Sequence, residues 1–479
     1  MFRLTIKELQ EKLTKQEITS IELVKTFLER IKKIDDKIGA YLSIMEARAL
    51  KQAQEIDKTA NIQSGLTGIP FANKALISIK GEECNAGSKI LKNFKPIKNA
   101  TVIDKLDKSG AICLGNTNMD EFAQGSSTEN SGIQITKNPW DTKKVPGGSS
   151  GGAAAAVAAD ECVFALGTDT GGSVRQPAAF CGCVGLKVTY GRVSRSGVMA
   201  YGSSFDSVGA ITKSVEDAAL VLENIAGNDL QDFTTPKIAV PQYSANLESS
   251  LKGKKIAYIK EFMNNAALDP KIRTSIENLI TALKKEGVLF EEISIPELDY
   301  AVACYYLLVK SEGSTNLHRY DGIRYGQATN QAKSIDDVYN FSRSEALGDE
   351  VKRCIMLGTY TLSAGYYDAY YLKAAKVRRL IKESFDQVFA KYNAVLAPVS
   401  PFLPFDIGEK SSDPLAMYLA DVYTVSANLA GIPGVSLPIG VIDNLPTGVQ
   451  ILTKQFNEKE LLEISYMIEK MVSFTRLKY

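Results

Sequence analysis

Histidine is almost absent from this chain: among its 479 residues the only one is His318. A Ser-His-Asp hydrolase needs an imidazole beside its nucleophile. His318 lies in the charged, glycine-containing segment NLHRYDG, which is typical of a surface loop. We therefore expect that any nucleophilic serine in this protein uses a base other than histidine.

An excess of charge of either sign is also missing, because 56 Lys and Arg residues face 55 Asp and Glu residues and leave a net charge of +1. A protein that binds nucleic acid by itself shows a basic electrostatic footprint. If the substrate of this protein is attached to a nucleic acid, we expect a partner to hold that nucleic acid.

Long apolar runs are missing as well, since none reaches the roughly eighteen residues that a membrane-spanning helix needs. The N-terminal stretch MFRLTIKELQEKLTKQ is charged and lacks the apolar core of a secretion signal. Hydrophobic residues make up 45% and charged residues 23% of the chain, which is ordinary for a globular protein. We expect a cytoplasmic protein without a membrane partner.

Cysteines in a pattern that would bind a metal are lacking. The chain has seven, and the pair Cys181 and Cys183 has no second pair and no histidine nearby. An odd number of thiols among small or apolar neighbours is typical of buried, reduced cysteines. We expect no zinc site and no cofactor bound by this chain.

Two clusters of glycine and serine, Gly147–Gly152 and Gly171–Ser173, are the most distinctive feature of the sequence. Such clusters are most often loops or linkers. Here, however, they enclose the alanine-rich run 153–159 and the apolar run Cys162–Leu166, and a flexible linker does not alternate with core residues. Glycine also lets backbone N–H groups converge. The pattern favours a functional turn with a serine nucleophile beside an oxyanion hole.

A lysine interrupts the apolar stretch Phe71–Ile79, which we predict to be a strand. Because burying a charge is costly, the simpler interpretation is an edge strand that points Lys74 into water. The other interpretation is a buried lysine whose pKa is lowered. The residues alone favour the first interpretation and leave the second open.

Helix and strand patterns alternate along the rest of the chain. Residues 4–35 predict two helices, the second of which begins with a capping box of Thr19 and Glu22. Strand, helix and strand follow each other in residues 255–293, and this order predicts a parallel pair with a right-handed crossover. We expect an α/β fold with a large mixed, mostly parallel β-sheet flanked by helices on both faces.

The length allows one large domain or two to three ordinary ones. We favour a single domain over residues 1–479, on which N-terminal helices within residues 1–60 pack. Residues 229–250 are polar and contain two prolines, which predicts a loop. That loop would be the seam between an N-terminal body and a C-terminal layer.

Three motifs around Lys74, Ser149 and Ser173 resemble those of the amidase signature family. They are, in the family's order and spacing, GIPFANK, GGSSGG and DTGGSVRQP. Four longer segments resemble one branch of the family, the glutamine-hydrolysing subunits of tRNA-dependent amidotransferases. These segments are TNMDEFAQGSSTENS, NLHRYDGIRYG, EVKRCIMLGTYTLSAGYYDAYY and DVYTVSANLAGIPG.

The resemblance implies a catalytic triad without histidine and an amidase signature fold. Ser173 would be the nucleophile, Ser149 would relay its proton, and Lys74 would be the general base. A neutral base requires that the pKa of Lys74 fall from about 10.4 to about 7, which burial in the apolar stretch would supply. Lys80 is the rival candidate, but it lies beside Gly81, where we expect solvent.

The resemblance also assigns groups that bind the substrate. The N–H groups of the following residues, together with that of Ser173, would form the oxyanion hole: Thr170, Gly171 and Gly172. Asp421 would hold the α-ammonium group of glutamine, and Tyr305 would flank the substrate. The alternative role for Asp421 is an N-cap of the segment that follows it.

The sequence departs from the branch at Cys354. Two consecutive arginines are usual there, and we expect the second to hold the carboxylate of glutamine. A cysteine cannot make that bidentate contact, and the neighbouring Arg353 faces another direction on a helix. Either the carboxylate is bound differently, with Arg353 as the candidate, or the affinity for glutamine is reduced.

Partners follow from the resemblance alone. In this branch glutamine is hydrolysed to glutamate and ammonia, and the ammonia passes through a channel to a B subunit. With ATP and Mg²⁺ that partner converts Glu-tRNA(Gln), or Asp-tRNA(Asn), to the amidated tRNA, and a C subunit completes the heterotrimer. Two alternatives remain: a stand-alone amidase acting on another small amide, which Cys354 leaves open, and a non-catalytic scaffold, against which the retained triad speaks.

Overall fold

A computed structural model describes residues 1–59 and 65–479; Ala60, the end of the predicted N-terminal helical segment, lies outside the described residues. The strands are β1 (Tyr41–Ile44), β2 (Pro70–Lys74), β3 (Ile112–Thr117), β4 (Phe164–Asp169), β5 (Val184–Lys187), β6 (Ser207–Thr212), β7 (Lys255–Ile259), β8 (Leu289–Ile293), β9 (Ala394–Pro398), β10 (Gly434–Ile442) and β11 (Leu445–Leu452). They form one sheet in the order β1-β3-β2-β4-β6-β5-β10-β11-β9-β7-β8.

Helices connect most of these strands. They are α1 (Ile6–Thr14), α2 (Ser20–Ile38), α3 (Glu46–Thr59), α4 (Thr101–Lys108), α5 (Gly151–Ala158), α6 (Arg175–Cys181), α7 (Val215–Ile225), α8 (Lys260–Met263), α9 (Pro270–Lys285), α10 (Ala301–Leu317), α11 (Ile335–Ala346), α12 (Asp349–Leu362), α13 (Lys373–Phe389), α14 (Pro414–Tyr418), α15 (Val425–Ala430) and α16 (Glu458–Val472). In the part of the chain described, no helix combines the length and the apolar character that crossing a bilayer requires.

The predicted α/β class and mixed sheet are confirmed, but the sheet is not mostly parallel. The parallel pairs are β2–β3, β2–β4, β7–β8 and β7–β9. The remaining neighbours in the strand order are antiparallel. The expectation was wrong because short connections allow antiparallel pairing. For example, only Asp443 and Asn444, both with positive φ, join β10 to β11.

Several local predictions are confirmed. The two predicted N-terminal helices are α1 and α2, and Thr19 forms the capping box: its hydroxyl accepts from the Glu22 N–H, and the Glu22 carboxylate accepts from the Thr19 N–H at 2.8 Å. The strands β7 and β8 flank α9 and are parallel. Residues 229–250 contain neither helix nor strand. All seven cysteines are buried and unpaired.

The sheet brings Lys74 and the second Gly/Ser cluster to the same end of two neighbouring strands. Strand β2 lies between β3 and β4, so it is not the edge strand of the simpler interpretation. Strands β2 and β4 are parallel, with Phe71 opposite Phe164, and therefore end on the same side. Lys74 is the last residue of β2, and Asp169, just before the second Gly/Ser cluster, is the last of β4.

The stacked rings at the start of these strands generate a stability prediction. Phe71 and Phe164 are fully buried, with ring centroids 5.2 Å apart. The change Phe71→Ala leaves a cavity, so we expect it to lower the free energy of unfolding by about 3–5 kcal/mol, measured by urea denaturation. The control Phe233→Ala removes a ring that is 95% exposed and should change little. Equal stability of the two variants would contradict the packing described.

Candidate active site

Lys74 is buried, and hydroxyl groups surround its amine. The residue is 0% exposed, and its Nζ donates to the Oγ of Ser149 at 2.8 Å, to the Oγ of Ser150 at 2.9 Å and to the Oγ1 of Thr168 at 2.9 Å. These bonds use all three donors of an ammonium group. The interpretation that pointed Lys74 into water is therefore wrong, because flanking strands exclude solvent and hydroxyls replace it.

The environment of Lys74 shifts its protonation equilibrium toward the neutral amine. Burial lowers the pKa of Lys74 to about 7, although the charges of Asp120, Asp169 and Asp206 oppose that shift. The hydrogen-bond partners of its Nζ are hydroxyls rather than carboxylates, so no direct ion pair fixes the proton. Lys80, the rival candidate, is exposed. A base that titrates near neutral pH is what acid–base catalysis needs.

The two Gly/Ser clusters lie against each other beside this amine. The Gly148–Ser149 peptide is cis, and Ser149 is fully buried. The Ser150 N–H donates to the carbonyl of Ser173 at 3.2 Å. Ser173 lines a cavity, which is described below, and is 8% exposed. The fold thus brings all three residues of the predicted triad into one region, with Lys74 at its buried end.

Most of the predicted oxyanion-hole donors are free, but one is occupied. In the described residues, the N–H groups of Thr170, Gly171 and Ser173 make no hydrogen bond within the protein. The N–H of Gly172 donates to the Oδ1 of Asp169 at 3.0 Å. The prediction for Gly172 is therefore corrected: its N–H holds the loop on Asp169 and does not point to a substrate.

Asp169 is the anchor of this loop. Burial alone would raise the pKa of Asp169, but the Arg175 guanidinium, with two bonds of 3.0 and 3.1 Å, lowers it to about 2. The loop also needs its glycines for space. A Cβ on Gly171 would collide with the hydroxyl of Tyr305, and one on Gly172 would collide with the Oγ1 of Thr424.

Ser173 opens into a cavity that is lined mainly by polar and aromatic side chains. The lining includes Ser126, Tyr305, Tyr306, Lys310, Glu350, Arg353, Tyr418 and Asp421, together with the charged residues Glu129 and Lys410. The predicted substrate-binding residues Tyr305, Arg353 and Asp421 are all among them. His318 is exposed after the end of α10 and does not line this cavity, as the sequence predicted.

Asp421 forms the acidic side of the cavity. Its carboxylate accepts from the hydroxyl of Ser126 at 3.0 Å and from the hydroxyl of Tyr306 at 2.8 Å. Burial raises the pKa of Asp421 to about 7. Helix α15 begins at Val425 with Thr424 in the N-cap position, so the alternative role of Asp421 as an N-cap is wrong.

The departure at position 354 does not reach the cavity. Cys354 is fully buried, and its Sγ lies 3.8 Å from the carbonyl of Lys310 on α10. Arg353 lines the cavity and pairs with Glu350. The expectation for the second position concerns an arginine, which this chain lacks there, and it stays a prediction. Of the two positions, 353 is the one that lines the cavity here, because successive helix residues differ by about 100° in direction.

Sequence reasoning missed several residues of the site. Ser150 stands beside Ser149 in GGSSGG, and Tyr306 follows Tyr305, so their proximity was visible in the sequence. Thr168 and Lys310 gave no comparable signal. Lys310 lies one helical turn beyond Tyr306, and only the helix register of α10 brings both to the same side.

Comparisons with known proteins find relatives over nearly the full length of the chain. The model of the amidase family matches residues 22–462. The A subunit of glutamyl-tRNA(Gln) amidotransferase from Clostridium botulinum (strain Kyoto / Type A2) is 50% identical over 480 residues, which cover 99% of this chain and 99% of that protein. The solved structure of the corresponding A subunit from Thermotoga maritima has a TM-score of 0.82 and 40% identity, covering 98% of this chain and 95% of that one. Native peptide amidase from Stenotrophomonas maltophilia has a TM-score of 0.83 and 29% identity, covering 98% and 97%.

The family model spans nearly the whole chain, and a relative of the same length shares half of its residues. The three motifs that carry the resemblance form one site in the structure. The chain therefore belongs to the amidase signature family, in the branch of the glutamyl-tRNA(Gln) amidotransferase A subunits.

Proposed function

We propose that this chain is the glutamine-hydrolysing subunit of a tRNA-dependent amidotransferase, with Lys74, Ser149 and Ser173 as its catalytic triad. The observation that carries the proposal is the hydrogen bond from the buried Lys74 amine to Ser149, beside a serine that faces the cavity. A lysine that titrates near neutral pH supplies the base that the single histidine cannot supply.

In the proposed reaction the Oγ of Ser173 attacks the side-chain amide carbon of glutamine. The serine proton moves to Ser149, whose own proton moves to the neutral amine of Lys74. The N–H groups of Gly171, Thr170 and Ser173 stabilise the oxyanion of the tetrahedral intermediate. Lys74 then returns the proton to the departing nitrogen, ammonia leaves, and water hydrolyses the glutamyl ester on Ser173.

The charged groups of the cavity suit a free amino acid. Asp421 would hold the α-ammonium group of glutamine, Arg353 would hold the α-carboxylate, and Tyr305 would flank the side chain. A bound ammonium group would lower the pKa of Asp421 and keep its carboxylate ionised. These roles separate glutamine from neutral amides, which lack both charges.

The ammonia would serve a partner. The names of the relatives from Clostridium botulinum and Thermotoga maritima state an amidotransferase of glutamyl-tRNA(Gln). In the assembly that we propose, a B subunit with ATP and Mg²⁺ amidates Glu-tRNA(Gln), or Asp-tRNA(Asn), and a C subunit completes the heterotrimer. The balanced charge of this chain supports a tRNA held by the partner.

The change Ser173→Ala tests the nucleophile and the ammonia transfer together. In the complex with partner subunits, we expect ammonia release from glutamine to fall at least about a thousandfold. Transamidation of Glu-tRNA with added ammonium chloride should stay at the wild-type rate, because that reaction does not use the triad. Loss of both activities to the same degree would contradict transfer of ammonia from this site to a partner.

The change Lys74→Ala tests the base. We expect a loss of glutaminase activity nearly as large as that of Ser173→Ala, because the proton of the nucleophile then has no acceptor. The matched control Lys80→Ala changes an exposed lysine near the same strand and should keep nearly full activity. Equal effects of the two substitutions would remove Lys74 from the mechanism.

The pH profile tests the protonation state of the base. Because Lys74 must be neutral to accept a proton and its pKa is about 7, kcat/KM should rise with pH through about 7 and be lost below it. Asp421 also titrates near 7 and would add to the same limb. The variant Asp421→Asn removes that contribution, so its residual activity should keep the limb. A flat profile in this variant would contradict a neutral lysine base.

A further inference from the structure

One wall of the cavity carries two cations around a single carboxylate. Glu350 accepts from the Nζ of Lys310 at 2.5 Å and from the hydroxyl of Tyr418 at 2.9 Å, and it also pairs with Arg353. Burial would raise the pKa of Glu350, but Lys310 lowers it below the ordinary value, so the carboxylate is ionised. The three charges of this wall therefore sum to about +1.

Arg353 alone would not offer a net positive charge to a ligand, because it pairs with Glu350. Its guanidinium lies against Glu350, and if no other cation were present the two charges would cancel. Lys310 is the other cation. Its side chain is 3% exposed, and its amine lies 5.7 Å from the ring centre of Tyr306 and 5.3 Å from that of Tyr418. The two rings enclose the side chain of Lys310 and hold its amine in the ion pair with Glu350.

The packing of two helices fixes this arrangement. The carbonyl of Lys310 lies so close to α12 that a Cβ on Gly358 would collide with it, and the Sγ of Cys354 lies 3.8 Å from the same carbonyl. Helix α10 thus supplies the cation Lys310 to Glu350 of α12. Asp421, on another wall of the same cavity, carries the opposite charge when it is ionised.

We infer that Lys310 is a positioning residue for substrate specificity: it neutralises Glu350 and so leaves the positive charge of Arg353 for the α-carboxylate of the substrate. This inference rests on the proposed function. The wall around Arg353 then attracts a carboxylate, and Asp421 attracts an ammonium group. A cavity with these two charged walls selects a zwitterionic amino-acid amide over a neutral one.

Charge-matched variants test the inference in the assembled complex. In Lys310→Met the wall loses its net charge, and in Lys310→Met/Glu350→Gln the net charge returns to about +1 through Arg353 alone. We expect the single variant to raise the KM for glutamine about tenfold or more with kcat changed little, because it weakens a charge-assisted contact. The double variant should bring the KM back to within about threefold of the wild type.

Two controls separate this role from a structural one. Lys352→Met removes a neighbouring lysine of α12 that does not line the cavity, and it should leave the KM unchanged. Glu350→Gln alone raises the charge of the wall, so its KM should not exceed that of the wild type. This variant also tests the inference if Lys310→Met fails to fold, which thermal unfolding of each variant would reveal.

The outcomes are distinct. An unchanged KM in Lys310→Met, or a strongly raised KM in Glu350→Gln, would overturn the inference. A double variant no better than Lys310→Met would also overturn it, because Lys310 would then bind the carboxylate directly. Failure of the proposed function looks different: the wild-type complex itself would release no ammonia from glutamine.

Discussion

The structure depends on the buried amine of Lys74, whose hydrogen-bond partners are hydroxyl groups instead of water. An ammonium group removed from water is costly unless each of its protons finds an acceptor. The acceptors for Lys74 come from separate places in the chain: Ser149 and Ser150 precede α5, and Thr168 belongs to β4. The register of β2 against β4 and the start of α5 are therefore tied to one amine. The same burial that makes this arrangement demanding also lowers the pKa of Lys74 toward neutrality.

A second buried charge, that of Asp169, fixes the loop that precedes Ser173. Asp169 binds Arg175, and the Arg175 guanidinium also donates to Asn428 and to Gln450 at 2.7 Å each. This network joins the loop after β4 to α15 and β11, which are far away in sequence. The glycine loop thus has a fixed conformation because its carboxylate anchor is satisfied on several sides, and its free N–H groups are directed by that anchor.

In the cavity, too, the surroundings of each carboxylate determine its pKa. Hydroxyl groups bind Asp421, whereas cations bind Glu350, and the pKa values of these two carboxylates shift in opposite directions. The pKa of Asp421 is raised to about 7, and that of Glu350 is lowered. A ligand with both an ammonium group and a carboxylate would complement these walls, which links the electrostatics of the site to the glutamine chemistry that we propose.

The sequence by itself predicted the family, the mixed α/β sheet, the capped helix at Thr19 and the region of the site, because capping, periodicity and glycine motifs are local signals. It could not decide between an exposed and a buried Lys74, since that depends on which strands flank β2. It also could not show that the N–H of Gly172 is occupied or that Arg353 rather than position 354 lines the cavity, because both depend on where an N–H or a side chain points after the loop and helix are packed. Local chemistry thus determined which groups are present, whereas the register of strands and helices decided which groups meet, because contacts between distant segments leave no periodic pattern in the chain.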